Sequence, residues 1–75
     1  MNEWLSERAD RLAAVAKLER DALELSGGEI DELLELAAVA AHESGDRRNA
    51  PLLCYLVGLA ASSGRSLAEL AREVR

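Results

Sequence analysis

A single imidazole, His42, and a single thiol, Cys54, flank the basic pair Arg47-Arg48 in a chain of 75 residues. A thiol with an imidazole in reach is the pairing from which a nucleophile and its base are built. His42 has Glu43 and Asp46 close by as orienting carboxylates, and an imidazole titrates where acid–base work needs it. The two Arg forks suit a phosphate or a carboxylate. Each residue also has a plainer reading. Cys54 stands between Leu53 and Tyr55 in the most apolar stretch of the chain, where a thiol stays protonated and packs as a small hydrophobe. His42 at the end of a helix suits the negative end of its dipole. Arg47 and Arg48 read as a solvated loop paired with Glu43 and Asp46. One Cys and one His leave no intrachain disulfide and no Cys/His zinc site. Gly27-Gly28 lacks the Gly-Lys-Ser/Thr ending of a phosphate loop. The plainer readings weigh more, so the expectation is a non-enzymatic domain with no catalytic residue, metal or cofactor. The alternative is a small ligand-binding or catalytic domain that uses the His42/Arg47/Arg48 junction.

The elements that must position these residues are helical. Ala and Leu are abundant and Phe is absent, a balance that favours helix over sheet. Asn2 is placed to cap a first helix from Glu3 toward Leu25, since no Pro or Gly interrupts that stretch. Its apolar residues fall in two stripes: Leu5, Ala9, Leu12, Ala16 and Leu23 in one, Trp4, Val15, Leu18, Ala22 and Leu25 in the other. Either one long helix touches two neighbours or the helix bends near Ala13–Lys17, and one long helix is the expectation. Gly27-Gly28 is expected to supply left-handed backbone at its end, and Ser26 with Glu29 forms a capping box that starts the next helix. The expected helices cover about 3–25, 29–43, 51–63 and 67–74, in one domain over 1–75.

Asn49 through Gly64 carries no charged residue, although 31 % of the chain is charged. A helix apolar on every side has to be enclosed by protein, so the third helix is expected at the centre of a four-helix, all-α fold. Pro51 lies in its first turn, where a missing N–H costs nothing. Gly58 inside it is expected to admit a close neighbouring helix, from the same chain or a second copy. Trp4 and Tyr55, the large aromatics, can anchor a core or an interface, with core use the expectation. Together with Gly58, His42, Arg47 and Arg48 they are the candidate interaction or junction residues. Ser66 and Glu69 form a second box, which opens a last helix with Leu67, Leu70, Ala71 and Val74 on its apolar side.

The formal net charge is −5 and the isoelectric point about 4.8. An acidic chain with one Trp and one Tyr offers neither a phosphate-binding surface nor a base-stacking platform. The closing LAELAREVR has balanced charges, so nucleic-acid binding is not expected. The apolar run is shorter than the roughly 20 residues needed to cross a bilayer, and the opening Met1-Asn2-Glu3-Trp4 does not read as a signal peptide. With an unpaired Cys, the cytoplasm is the expected compartment. A single core in so short a chain is marginal, and the surplus of apolar helix surface points to self-association. The expected function is a protein-interaction module whose binding surface comes from the second apolar stripe of the first helix and the exposed part of the third.

Leu34-Glu35-Leu36-Ala37 through Ala41-His42, followed by Ala50-Pro51-Leu52 and Tyr55-Leu56-Val57-Gly58-Leu59-Ala60-Ala61, resembles a small bacterial family of uncharacterised helical domains. The shared pattern is L-x-L-A-x-x-x-A-H, then A-P-L-x-x-[FY]-L-x-G-x-A-A, with Trp4-Leu5 and Leu67-Ala68-Glu69-Leu70-Ala71 also fitting it. About two-thirds of the chain is covered, and His42, Ala50-Pro51-Leu52 and Gly58 are the most specific positions. Ala13–Ser26 fits poorly, because members often have a shorter connection there. Members occur alone or fused to the guanylyltransferase that makes molybdopterin guanine dinucleotide. The resemblance implies a helical domain tied by association to molybdenum-cofactor maturation, and it supplies no catalytic residue. His42 and Pro51 bracket the polar loop in that pattern. This fits a His42 hydrogen bond to a loop backbone group, whose loss in His42→Ala would lower stability.

Overall fold

The Asn2 side chain accepts the Leu5 N–H at 2.8 Å and starts helix α1, Glu3–Ala16. A computed structural model describes all residues, 1–75, and contains three further helices: α2, Gly27–Ser44; α3, Asn49–Ala61; and α4, Leu67–Val74. A single 3-10 turn, Arg20–Leu23, is the only other regular element, so the fold is all-α. The chain forms two compact units, Met1–Ile30 and Asp31–Arg75.

In the first unit, the expected helix from Glu3 to Leu25 stops at Ala16. Lys17 takes the left-handed conformation (φ 58°, ψ 44°), and its N–H closes on the Ala13 carbonyl. Lys gains nothing locally from that conformation, which is costly for any residue with a Cβ. A longer-range contact accompanies it. Arg20 in the 3-10 turn reaches back to α1, with Nε 2.6 Å from an Asp10 carboxylate oxygen and Nη2 3.5 Å from the Ser6 carbonyl. A third contact joins Arg20 to Glu24 at 3.1 Å. Each expected stripe is therefore cut short: Leu5, Ala9, Leu12 and Ala16 of the first and Trp4 and Val15 of the second lie on α1, whereas Leu23 of the first and Leu18, Ala22 and Leu25 of the second lie beyond its end. Ala9 and Ala13 are the buried residues of α1.

The Ser26 capping box forms as its residue types require. Ser26 Oγ accepts the Glu29 N–H at 3.1 Å, and the Glu29 carboxylate accepts the Ser26 N–H at 2.9 Å. Gly27 and Gly28 do not take the expected left-handed backbone; they are the first turn of α2.

The second unit is organised around Leu36 of α2, Val57 of α3 and Ala71 of α4. Leu53, Cys54, Leu67 and Leu70 pack against this cluster. Gly45 (φ +72°) ends α2, its N–H on the Ala41 carbonyl at 3.1 Å. Gly64 (φ +102°) ends the turn that follows α3. Ser66 caps α4 by accepting the Glu69 N–H at 3.2 Å, but this second box is half made: the Glu69 carboxylate takes Arg65 instead, at 3.0 Å. Arg75 ties the end of the chain to α2 through Glu32 at 3.1 Å and Glu35 at 2.8 Å.

α3 is not enclosed as expected. It buries Val57 and half-buries Ala50, Leu53, Cys54 and Ala61, all on one side. Leu52, Tyr55, Leu56 and Leu59 on the other side are exposed. An uncharged sequence supplies two apolar faces, and the neighbouring helices of this unit cover one.

Candidate functional site

The loop between α2 and α3 is built by Ser44 and Asp46, not by His42. Ser44 Oγ donates to the Ala40 carbonyl at 2.7 Å and accepts the Asp46 N–H at 3.2 Å. The Asp46 carboxylate accepts the Arg48 backbone N–H at 3.0 Å and is gripped by the Arg48 guanidinium at 2.8–3.2 Å. Asp46 thereby satisfies one of the free donors at the start of α3. The Arg48 guanidinium, followed by its backbone N–H, holds the Asp46 carboxyl below the usual carboxylate range, and Asp46 raises Arg48 in return.

A depressed carboxyl contributes stability above its ordinary titration range, near pH 4, and loses it as pH falls through the lowered folded value. Acidification is therefore expected to release the Arg48 amide and fray the first turn of α3. Amide exchange at Arg48, followed downward from pH 5, checks this, and Asp46→Asn should abolish that pH-dependent change.

His42 is exposed in the last turn of α2 and makes no hydrogen bond. The expected bond to a loop backbone group is absent, because Ser44 and Asp46 already satisfy that loop. His42→Ala is accordingly expected to change unfolding free energy by less than about 0.5 kcal/mol, the usual range for a surface site. A larger loss in chemical denaturation would contradict the geometry. Arg47 is exposed, and no ion pair engages it; Arg48 spends its guanidinium on Asp46. The three residues of the junction are close in sequence, but no hydrogen bond or ion pair couples them.

Cys54 is a packing residue, as its neighbours imply. Its Sγ lies 3.8 Å from the Leu33 carbonyl, and burial pushes the thiol above its ordinary pKa. A thiol so placed is a poor nucleophile. Gly58 has open space where a Cβ would stand, so no helix of the second unit makes the close approach expected beside it.

Trp4 and Tyr55 are not core residues either; both are exposed. Trp4 is covered on one face by the Arg8 guanidinium, 4.2 Å from the ring centre, and the contact supplies a cation–π attraction. Arg8 also meets Glu7, which pairs with Arg11. Leu12 and Val15 stand exposed on the same helix.

The concave surface of the second unit follows α3. One groove of about 450 Å³ is lined by Glu43, Asn49, Leu52, Leu53, Leu56 and Val74, among others. A second, of about 210 Å³, is lined by Leu53, Leu56, Ala60, Leu70, Glu73 and others. His42, Arg47 and Arg48 line neither. The walls are mostly apolar; Glu43, Ser44 and Asn49 are the polar residues of the first groove and Glu73 that of the second, a composition that can bury an apolar group and offers no acid–base pair. The expected binding surface included the exposed part of the third helix, with Tyr55 and Gly58, but Leu52, Leu56 and Leu59 were not named in it. Their signal was the i, i+4, i+7 spacing within the uncharged run.

No helix is long and apolar enough to cross a membrane. No curated protein and no solved structure matches the chain. Residues 1–75 do match a domain of unknown function, DUF6457, and the chain, covered from end to end, belongs to that family.

Proposed function

We propose that this DUF6457 domain is a non-enzymatic protein-interaction module, accessory to another enzyme and self-associating in that role. The observation that carries the reading is apolar surface left in water. Trp4, Leu12 and Val15 on α1 are 61–85 % exposed, and Leu52, Tyr55, Leu56 and Leu59 on α3 are 52–66 % exposed. Scattered apolar residues need no explanation, but large ones grouped on one helix face mark an interaction site. Exposed Trp and Tyr strengthen the case, because these residues anchor interfaces.

The resemblance carried by Leu34–His42 and Ala50–Ala61 directs the choice of enzyme to the molybdenum-cofactor guanylyltransferase. A cytoplasmic setting belongs to the same reading, supported by the unpaired Cys54.

Calorimetric titration of the chain into that guanylyltransferase is expected to give saturable binding near one-to-one. Val15→Glu, which places a charge on the most exposed apolar position of α1, is expected to weaken it at least tenfold. An absence of heat at micromolar concentrations would sink the assignment of this enzyme as partner.

A further inference from the structure

We infer that Arg20 is a latch: it holds the chain bent at Lys17, and its release lets α1 run on as one continuous helix toward Leu25. Every residue of this latch lies in the first unit, so neither a partner nor the second unit is needed for it to act.

The bend is not written into the local sequence. From Glu3 to Leu25 there is no Gly or Pro, and Lys17–Leu25 (KLERDALEL) is rich in Leu, Glu, Ala, Lys and Arg, which are good helix formers. Yet Lys17 stands at φ 58°, a conformation that a residue with a Cβ adopts at a cost. The Lys17 N–H makes the last regular bond, to Ala13, and the Leu18 N–H then closes on the same carbonyl at 2.9 Å. A helix that continued would place it on Ala14 instead and add one backbone bond per residue. Leu18, Glu19, Asp21, Ala22 and Glu24 are exposed in the bent form, so these side chains give the bend little in return.

Arg20 supplies what the bend gains. It is the residue of the 3-10 turn that hydrogen-bonds to α1, through Nε on Asp10 at 2.6 Å and Nη2 on the Ser6 carbonyl at 3.5 Å. A continuous helix excludes both contacts. At 1.5 Å per residue, Arg20 would stand about 15 Å along the axis from Asp10 and about 21 Å from Ser6, beyond the reach of these side chains. Bent and straight forms are therefore alternatives, one with the guanidinium bound to α1 and one with a longer backbone ladder. The pair of Arg20 with Glu24, at 3.1 Å, has i, i+4 spacing and suits either form, so it does not choose between them.

The Asp10 side chain is 67 % exposed, so dissolved salt screens its pair with Arg20. Ionic strength is the signal to which the latch responds. Straightening would carry Leu18, Ala22 and Leu25 onto the stripe of Trp4 and Val15, and Leu23 onto that of Leu5, Ala9, Leu12 and Ala16. The latch thus sets the length of the apolar faces that α1 presents.

Backbone carbon chemical shifts at residues 17–24 distinguish the two forms residue by residue, and far-UV circular dichroism reads total helix. Arg20→Gln, which removes the charge and keeps helix propensity, is expected to raise the straight population about fivefold, the upper end for an exposed pair. Asp10→Asn should act in the same direction. Lys17→Gly relieves the left-handed residue and weakens a straight helix, so adding it to Arg20→Gln should return residues 17–24 to their native shifts. A chain that had merely lost its fold would not be rescued by a glycine. Raising salt from about 0.01 M to 1 M, where the screening length falls from about 30 Å to about 3 Å, should straighten the native chain and leave the Lys17→Gly chain unmoved. Native shifts at residues 17–24 in Arg20→Gln, disorder there in place of helix, or a native chain indifferent to salt would overturn the inference.

Discussion

Leu36→Ala is expected to lower the free energy of unfolding by about 3 kcal/mol, within the usual range for emptying a fully buried leucine site. Leu36 is the only large side chain with no exposure at all, and it stands where α2 meets Val57 of α3 and Ala71 of α4. The other buried hydrophobics are Ala9, Ala13, Ala40, Val57 and Ala71. Val57, Ala71 and the surrounding Leu53, Leu67 and Leu70 are held on their own helices, so the site collapses only in part and much of the lost contact is not recovered. A chain of this length has roughly 4–11 kcal/mol of stability in total, and losing about 3 is therefore a large share. Leu34, two residues earlier on the same helix, is 65 % exposed. Leu34→Ala removes the same atoms from solvent-facing surface and is expected to cost under about 0.5 kcal/mol. Urea denaturation followed by circular dichroism compares the pair, and equal losses would mean that Leu36 is not the centre of the cluster.

The second large effect comes from adding atoms. Ala71→Leu is expected to cost about 1–3 kcal/mol through overpacking, because Ala71 is fully buried in the cluster with Leu36 and Val57. α4 has eight residues, too few to hold a helix without tertiary contacts. The strain is therefore expected to appear as detachment of α4 before the rest unfolds. Amide exchange in α4 should accelerate roughly 5- to 150-fold, the equivalent of that free-energy range. The ion pairs of Arg75 with half-buried Glu32 and exposed Glu35 hold the end of this helix, but pairs this close to solvent give too little to offset the strain. Ala68→Leu, at an exposed position on the same helix, makes the same chemical change without a clash and should leave exchange unaltered. Matching acceleration in both variants would show that α4 does not pack through Ala71.

Helix starts were legible because they rest on side chains within three residues of the amide they cap. Asn2, Ser26 and Ser66 each accept the N–H that local spacing assigns to them. Helix ends were less legible. Lys17 gives no sequence signal of a stop; its left-handed turn goes with the grip of Arg20 on Asp10 and Ser6, contacts ten and fourteen residues apart. Gly27-Gly28 looked like a stop and is a start. The candidate site divides in the same way. Cys54 was readable as a packing residue from its apolar neighbours, whereas His42 was assigned a loop bond that Ser44 and Asp46 leave unneeded.

The sequence by itself determined the helical class, the capped starts of α1, α2 and α4, and the uncharged character of α3, since all of these follow from residue type and short spacing. Only the tertiary structure decided which side of α3 is covered. Apolar character states that a face gains by leaving water, while the identity of the covering surface depends on where the other helices lie. Within the second unit, α2 and α4 cover Leu53, Cys54 and Val57 and not Leu52, Tyr55, Leu56 and Leu59.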